Sequence, residues 1–470
     1  MWRKAEHAVA SDQRDTAEVV VWNVEGSVKH GGIVEARPVP AGVCAHAACG
    51  PELALHTLPV GCIQESICVK RLLYLAPVPL DSPSQRPHHF VEWAHARWGC
   101  EVWWVQPYPV RLPRLGDVRR LRRREVASGV GSGALGPPWR GAAWLHVVSL
   151  AAVPVEPLPG GRSFLKKLHA SARSRLLALM AQEDTWMAVG RPSGLAMDLC
   201  TALQGQRVLY DVMDDMSQFS QGLSQRWMRR AHEAILAQAE AVWCSADKLL
   251  QTTLDSTRAL PALVRNGTAL PDPPRPGASG VGTAPHAQAP LVLGYVGTIA
   301  SWFDWQALAQ VASALPQARI EVYGPQESAR PANLPPQVQL FAPVPHAEVF
   351  ALMRQWHAGL IPFVRNALTA SVDPVKYYEY RACGLPVLTT LFGEMHHHSS
   401  IDDGVWNMED AQVLLTLEQR LRLWHKNMAE RLARNAPLAP DCLRDASWAA
   451  RFNAGIQAVA WADGSQENPA

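Results

Sequence analysis

Short apolar runs alternate with helical patterns from Arg71 onward, and this alternation constrains the fold more than any other feature of the chain. Parallel strands need a long connection, usually a helix, to return the chain to the start of the next strand. The alternation therefore predicts parallel α/β sheets. The first series of predicted strands covers 71–79, 100–107, 144–150, 185–192, 207–214 and 241–246. The second series covers 291–297, 319–325, 337–344, 357–363 and 385–390.

A Pro-, Gly- and Ala-rich stretch at 271–290 separates the two series and has the composition of a linker. We predict an α/β fold of two doubly wound Rossmann-like domains that face each other across a cleft, because ligands bind there beyond the carboxyl ends of the strands. The expected organisation is an N-terminal extension, poorly ordered, at 1–69, an N-terminal domain at 70–270, the linker, a C-terminal domain at 291–440, a last helix at 441–462 and a tail at 463–470.

Charge and cysteine usage exclude several classes of protein. The chain has 44 Lys and Arg against 42 Asp and Glu, and a net charge of +2 does not suit a nucleic-acid-binding protein. Its nine cysteines are odd in number and form no paired CxxC set, which argues against a disulfide framework or a zinc ribbon. The sequence also has no long apolar run and no signal-peptide pattern. We expect a cytoplasmic protein, peripheral to a membrane at most.

The most informative stretch is 361–390. Asp373 followed by Pro374 predicts a helix start with the carboxylate as cap, and Gly384 ends that helix. Lys376 and Glu379 are three residues apart and share a face near the helix N-terminus. A phosphate could bind the free amides and the ammonium there, and a carboxylate one turn further could accept ribose hydroxyls. The same spacing also fits an ordinary capped helix with a solvated ion pair.

Several segments together resemble group 1 glycosyltransferases of the GT-B fold, which are family 4-like, over roughly residues 71–459. The resemblance rests on six segments in the right order: 84–107, LYDVMDDMSQF at 209–219, LVRNGTAL at 263–270, GYVGTIASWFDWQAL at 294–308, the run 361–390, and SWAARF at 447–452. It implies an acceptor-side N-terminal domain, a C-terminal domain that binds the nucleotide sugar, and a last helix that crosses back to the N-terminal domain.

The resemblance also implies roles for single residues. Glu379 would hold the donor ribose, and Lys376 with Arg365 would face the pyrophosphate. Gly294 and Gly297 would let the backbone approach the donor, with Thr298 beside them among the donor-binding residues. The backbone amides around Asn366 to Thr369 could supply pyrophosphate contacts in place of basic residues that many relatives have. Many relatives have a second Glu eight residues before the ribose Glu. Here that position is Ser371, and Asp373 is the nearest substitute.

The acceptor side offers three catalytic candidates. Asp211 and Asp214, with Asp215 beside them, are predicted at a strand's carboxyl end, where a general base is useful. A loop of capping carboxylates is the alternative. His88 is the third candidate because the first helix begins there, although it could instead pack under the sheet. We expect His396, His397 and His398 to lie in a solvated loop, and we predict no metal site and no cofactor.

Two basic stretches, 111–124 and 162–175, are either solvated faces or contacts to anionic lipid. The expected function is transfer of a sugar from a nucleotide diphosphate sugar to a saccharide or lipid-linked saccharide, in bacterial cell-surface polysaccharide synthesis and with retention of configuration. The alternatives are a catalytically silent GT-B subunit that binds a nucleotide sugar or a partner enzyme, and a nucleotide-sugar epimerase.

Overall fold

A computed structural model of the chain describes residues 69–113, 136–204, 207–269, 290–434 and 436–459. Nearly all of the predicted N-terminal extension, linker and tail lies outside the described residues. So does most of the basic stretch 111–124.

The first sheet has seven parallel strands in the order β3-β2-β1-β4-β5-β6-β7. They are β1 (Arg71–Leu75), β2 (Glu101–Val105), β3 (Leu145–Val148), β4 (Thr185–Val189), β5 (Val208–Val212), β6 (Ala241–Cys244) and β7 (Ala262–Leu263). β1 pairs with both β2 and β4, so the strand order reverses between β1 and β4. That reversal is the point at which doubly wound sheets open a crevice for ligands.

The second sheet has six parallel strands in the order β10-β9-β8-β11-β12-β13. They are β8 (Val292–Val296), β9 (Arg319–Tyr323), β10 (Val338–Phe341), β11 (Ala358–Ile361), β12 (Val387–Thr389) and β13 (Val405–Asn407). Its switch point lies between β8 and β11. The two sheets thus share one winding pattern, each with a crevice beyond the carboxyl ends of its central strands.

Helices connect the strands of both sheets. Those of the N-terminal domain are α1 (Arg86–Trp98), α2 (Gly161–Leu168), α3 (Ala170–Met180), α4 (Gly194–Ala202), α5 (Gly222–Leu236) and α6 (Asp247–Leu254). The others are α7 (Trp305–Ala314), α8 (His346–Met353), α9 (Val375–Ala382), α10 (Met395–Ile401), α11 (Ala411–Leu415), α12 (Leu417–Ala433) and α13 (Trp448–Ala458). None of the helices in the described part of the chain is both long and apolar enough to cross a bilayer.

The last helix packs on the first domain. Phe452 of α13 lies 5.5 Å from Phe90 of α1 between ring centroids, and the Trp243 indole donates to the Gly455 carbonyl at 3.1 Å. A Cβ at Gly455 would lie 2.8 Å from the Trp243 ring, so this close crossing needs a glycine. The C-terminal helix therefore contributes to the core of the N-terminal domain.

Every strand predicted from the sequence is present in the structure, with shorter bounds. The helix predicted at 87–99 is α1, which ends at Gly99 with a left-handed φ of +64°. Two strands, β7 and β13, have only two and three residues and were not predicted. Strands this short are difficult to recognise because they span too few residues for a periodic pattern.

Candidate functional site

Helix α9 is held in place by its buried face. The Tyr377 hydroxyl donates to the Asp402 carboxylate at 3.1 Å, and two nitrogens of the Arg381 guanidinium donate to it at 2.7 and 2.8 Å. Arg381 and Asp402 are both buried. With this side fixed, Lys376 and Glu379 lie on the partly exposed side of the helix, as the spacing predicted.

Lys376 reaches over Gly297, which follows β8 at the switch point of the second sheet. A Cβ at Gly297 would lie 2.4 Å from Lys376 Cε and 2.7 Å from Nζ, and the glycine has φ +150°. The Tyr295 ring centre lies 5.5 Å from Nζ. Within the described part of the chain the ammonium has no hydrogen-bond or ion-pair partner. Burial lowers the pKa of Lys376, with partial opposition from Glu379, as expected of a cation that lacks a counter-ion.

Glu379 lies one turn further along α9 and does not form an ion pair with Lys376. Burial raises the pKa of the Glu379 carboxyl to about 7, with Lys376 acting in the opposite direction. No described side chain donates a hydrogen bond to it. A carboxyl near its pKa with free oxygens can accept hydrogen bonds from a pair of hydroxyl groups.

Gly294 has a structural role in the fold. A Cβ there would lie 2.0 Å from the Trp356 ring, so the glycine makes room for an indole and not for a ligand. The Trp356 indole donates to the Glu321 carboxylate at 3.0 Å. A group does approach the backbone closely at Gly294, but it is the Trp356 side chain and not the donor that the resemblance implied.

The remaining predicted donor-site residues lie in two turns. Arg365 is exposed and pairs with Glu409 at 3.1 Å, and Asn366 accepts hydrogen bonds from the main-chain amides of Leu368 and Thr369 at 3.0 and 3.1 Å. Thr369 is buried and its hydroxyl donates to the Val364 carbonyl. The Thr298 carbonyl accepts from the Tyr295 hydroxyl at 2.8 Å. Of these side chains, Arg365 and Asn366 are exposed.

Asp373 does not cap α9, and its carboxylate is occupied by contacts within the protein. The helix begins at Val375 after Pro374, without a side-chain cap. The buried carboxylate accepts hydrogen bonds from the Asn266 main-chain amide at 2.7 Å and the Tyr378 hydroxyl at 2.9 Å, and it contacts His398 Nε2 at 2.9 Å. Since Asn266 follows the last strand of the first sheet, Asp373 joins the two domains.

Asp211 is buried inside β5 and is paired with Arg86. The guanidinium contacts the carboxylate through Nη2 at 2.7 Å and Nε at 2.9 Å, and it also donates to the Val264 carbonyl at 2.7 Å. A carboxylate that is fully buried and paired in two places is not available to take a proton from a substrate. The structure therefore gives Asp211 a structural role.

Asp214 follows the same strand and remains partly exposed. Burial raises the pKa of Asp214 to about 7, with Arg86 acting in the opposite direction and the carboxylates of Asp211, Asp215 and Asp373 adding to the rise. Its neighbour Asp215 accepts from the Ser217 amide and hydroxyl at 3.1 and 2.6 Å, as a cap does. Of the three aspartates, Asp214 is the one suited to accept a proton near neutral pH.

His88 is buried and packs under the sheet. Its Nδ1 accepts from the Gln85 amide at 3.2 Å, its Nε2 bonds to the Leu80 carbonyl at 3.2 Å, and its ring stacks on Trp104 at 5.1 Å. Burial lowers the pKa of His88 to about 4. Both ring nitrogens are in use, so His88 cannot reach a substrate in this arrangement.

The three consecutive histidines do not form a solvated loop. His396, His397 and His398 lie in α10, and His398 is buried against Asp373 with its ring stacked on Tyr377 at 3.9 Å. A helix places consecutive side chains about 100° apart, so the three rings cannot point to one centre. No group of three metal-ligating side chains gathers in the residues that the structure describes.

Sequence patterns did not identify the residues that join the domains. Glu394, after β12, accepts from the Asp247 amide at 2.7 Å and from Arg265 Nε at 2.7 Å. Arg265 also pairs with Asp247 at 2.6 Å. Arg265 and Asn266 both lie in the 263–270 segment, which stands out in the sequence for its resemblance to a known family. That resemblance was the one sequence feature that pointed to these residues.

Solved structures of other proteins resemble this fold, although no protein-family model and no curated protein sequence matches the chain. Sucrose-phosphate synthase from Thermosynechococcus elongatus superposes with a TM-score of 0.53 at 15% identity, covering 83% of this chain and 98% of that one. HepE from Anabaena, solved with UDP and glucose, has a TM-score of 0.51 at 12% identity with the same coverage. Identity this low establishes the fold alone. Together with the two sheets, these matches confirm the predicted fold class: two Rossmann-like α/β domains of the GT-B type.

Proposed function

We propose that the protein is a glycosyltransferase that moves a sugar from a nucleotide diphosphate sugar to a hydroxyl of a saccharide or lipid-linked saccharide. The observation that carries the proposal is Lys376, a cation without a partner among the described residues, at the switch point of the second sheet. Glu379 lies one turn away with free oxygens. A similar fold binds UDP and glucose in HepE, which supports a nucleotide sugar as the donor.

In the proposed reaction, the acceptor hydroxyl oxygen bonds to the anomeric carbon while the bond from that carbon to the diphosphate oxygen breaks. Negative charge develops on the departing diphosphate, and Lys376 would stabilise it without a metal ion. Glu379 would accept hydrogen bonds from the ribose. The hydroxyl proton passes to Asp214, whose pKa of about 7 suits a general base. Retention of configuration, which the family resemblance implies, is part of the proposal and requires the acceptor hydroxyl to approach the same face of the anomeric carbon from which the diphosphate departs.

An exposed face of α2 supports a membrane-bound acceptor. Phe164 and Leu168 are 52% and 45% exposed and lie one helical turn apart, and Lys166 and Lys167 between them are exposed as well. Apolar side chains flanked by lysines are typical of helices that lie on anionic lipid. We propose that this face contacts the inner surface of the cytoplasmic membrane, where a cell-surface polysaccharide would be assembled.

A panel of nucleotide sugars, with and without saccharide acceptors, tests the proposed reaction. A transferase releases nucleoside diphosphate in an acceptor-dependent way, and Glu379→Ala should weaken nucleotide binding by roughly 1.5–3 kcal/mol. Formation of a new sugar nucleotide would instead identify an epimerase. Binding without turnover would identify a silent subunit, and unchanged affinity in a folded Glu379→Ala variant would disprove the ribose assignment.

A further inference from the structure

A cavity lies beyond the carboxyl ends of β1, β2 and β4, at the switch point of the first sheet. This is the position at which doubly wound sheets bind ligands, and the sites described above do not use it. The residues that line it are Leu75, Ala76, Val105, Gln106, Pro107, Tyr108, Val110, Arg191, Ser193 and Leu195. Arg191 is the one charged side chain among these lining residues.

Arg191 lacks a partner. Its Nε is buried without a hydrogen-bond partner, and in the part of the chain that the structure describes its terminal nitrogens form no hydrogen bond or ion pair either. Burial lowers the pKa of the guanidinium, while Tyr108 and Glu156 act in the opposite direction. Arg191 as a whole is partly exposed, but a guanidinium nitrogen that is buried is normally paired because desolvating the charge is costly. A cation left unpaired in a cavity is therefore available to an anion.

The nearest carboxylate is held elsewhere. Glu156 Oε1 accepts from the Gly194 amide at 2.8 Å and from the Tyr108 hydroxyl at 2.8 Å. It thereby covers the N-terminus of α4, whose other first-turn amides donate to the Tyr108 and Ser193 hydroxyls. Glu156 is thus fixed against the helix through Oε1, its Oε2 is buried without a hydrogen-bond partner, and no ion pair joins it to Arg191 among the described residues. Burial also raises the pKa of Glu156 to about 7, so its negative charge is incomplete at neutral pH.

The charge around α4 is in excess on the positive side. Asp198 of α4 is approached by three cations, with Arg162 at 2.6 Å and Lys166 and Arg173 each at 3.7 Å. One aspartate cannot balance these three charges. The surplus gives the surroundings of α4 a positive potential.

We propose that this cavity binds an anionic group of the acceptor, a phosphate or a carboxylate, through the Arg191 guanidinium. The identification of the anion as part of the acceptor rests on the proposed transfer reaction. The binding of an anion at Arg191 does not depend on that reaction. A planar guanidinium with two free terminal nitrogens can bind either group through paired hydrogen bonds. The acceptor class would then be a sugar phosphate or a uronic acid, and not a neutral sugar.

Residue-resolved labelling of the full chain tests the site without any nucleotide sugar. Phenylglyoxal modifies guanidinium groups, and peptide mass spectrometry gives the labelling rate of each arginine. Inorganic phosphate should slow labelling of Arg191 while leaving Arg175, exposed in the same domain, unchanged. In calorimetry, Arg191→Gln should weaken phosphate binding at least about tenfold. Arg191→Lys should retain part of the affinity, and Arg175→Gln should retain all of it.

Competition identifies the group that binds. Glucose 6-phosphate, glucuronate and glucose are compared for protection of Arg191; the two anions, or one of them, should protect and glucose should not. In the transfer assay, inorganic phosphate should compete with the acceptor and not with the donor. Equal protection by glucose, or phosphate binding that Arg191→Gln leaves unchanged, would overturn the proposal.

The two proposals can fail separately. Protection of Arg191 in a protein that releases no nucleoside diphosphate would refute the transfer reaction and leave the anion site standing. Acceptor-dependent transfer with no effect of phosphate on Arg191 or on turnover would refute the anion site and leave the transferase standing.

Discussion

The Asn266 main-chain amide donates to the Asp373 carboxylate at 2.7 Å, and the Asn266 side-chain amide donates to the Asp373 carbonyl oxygen at 2.6 Å. Asn266 also accepts from Arg86 at 3.3 Å, and Arg86 is paired with Asp211. A continuous set of buried polar contacts therefore runs from the middle of the first sheet to the start of α9. Helix α9 and the first domain are positioned by the same residues.

Asp373→Asn should destabilise the protein in a pH-dependent way. Burial alone would raise the pKa of Asp373, but His398, the Asn266 amide and Tyr378 hold it below its ordinary value. The resulting stability is fully present above the ordinary carboxyl pKa of about 4 and is lost as the pH falls through the lowered value. At neutral pH the variant should lose about 3 kcal/mol of unfolding free energy, and the deficit should shrink in acid.

Urea denaturation at several pH values measures this difference. Asp403→Asn, an exposed aspartate in the same domain, is the matched control and should behave as the wild type. A deficit that stays constant into acid would contradict the charge-based explanation.

Lys376→Gln should weaken binding of nucleoside diphosphates by roughly 1.5–3 kcal/mol, because a hydrogen bond between charged groups is lost. Isothermal titration calorimetry measures the affinity. Lys426→Gln removes an exposed lysine from α12 of the same domain and should leave the affinity unchanged. If both variants bind as the wild type does, the diphosphate does not lie against Lys376.

Asp214→Asn should lower activity and raise stability at the same time. Because the pKa of Asp214 is raised to about 7 in the folded protein, the folded state loses stability as the pH rises from about 4 to about 7. The amide cannot ionise, so the variant should be more stable than the wild type above about pH 7.

The wild-type transfer rate should rise through the same pH range if Asp214 acts as the base. Denaturation and rate profiles on both proteins test the pair of effects. A variant that is less stable in mild alkali, or fully active, would refute the role.

Alanine substitutions at Gly294 and Gly297 should affect different properties, the first stability and the second diphosphate binding. Gly294→Ala places a Cβ 2.0 Å from the Trp356 ring, and overpacking of this kind costs about 1–3 kcal/mol of stability. Gly297→Ala meets the flexible end of Lys376 and a φ of +150°, so it should displace the ammonium and weaken diphosphate binding. Thermal unfolding and calorimetric titration of both variants separate stability from binding. Intact diphosphate affinity in Gly297→Ala would show that Lys376 need not lie over this residue.

Replacing Phe164 and Leu168 by Ser should reduce binding to vesicles that contain phosphatidylglycerol. Burial of one such side chain contributes about 1.5 kcal/mol or more, so the double variant should bind at least roughly tenfold more weakly. Leu415→Ser removes an equally apolar, 78% exposed side chain from the other domain and is the control. Sedimentation with vesicles gives the bound fraction, which should also fall with salt. Equal binding of all three proteins would leave α2 an ordinary exposed helix.

The sequence was sufficient for the fold because a doubly wound sheet buries both faces, so its strands are continuous apolar runs. It also predicted that Lys376 and Glu379 share a helix face, since residues three apart do so; their roles in donor binding stay a prediction. Long-range pairings were not predictable. Arg86 and Asp211 are 125 positions apart, and no spacing rule connects them.

Gly294 illustrates the same limit on a smaller scale. A glycine inside a strand signals a close approach, but the local sequence does not say what approaches. The answer here is Trp356, which is 62 positions later in the chain. His88 failed as a catalytic candidate for a related reason, because its burial against Trp104 depends on where β2 lies beside β1.

Glu394 should determine how the joint between the two domains resists displacement. Both of its oxygens are committed across the joint, one to the N-terminus of α6 and the other to Arg265. A displacement of the domains that carries Glu394 away from Asp247 and Arg265 would lengthen both contacts, because one carboxylate makes them. Hydrogen bonds weaken steeply with distance, so the joint should resist small displacements and give way abruptly once both bonds are broken.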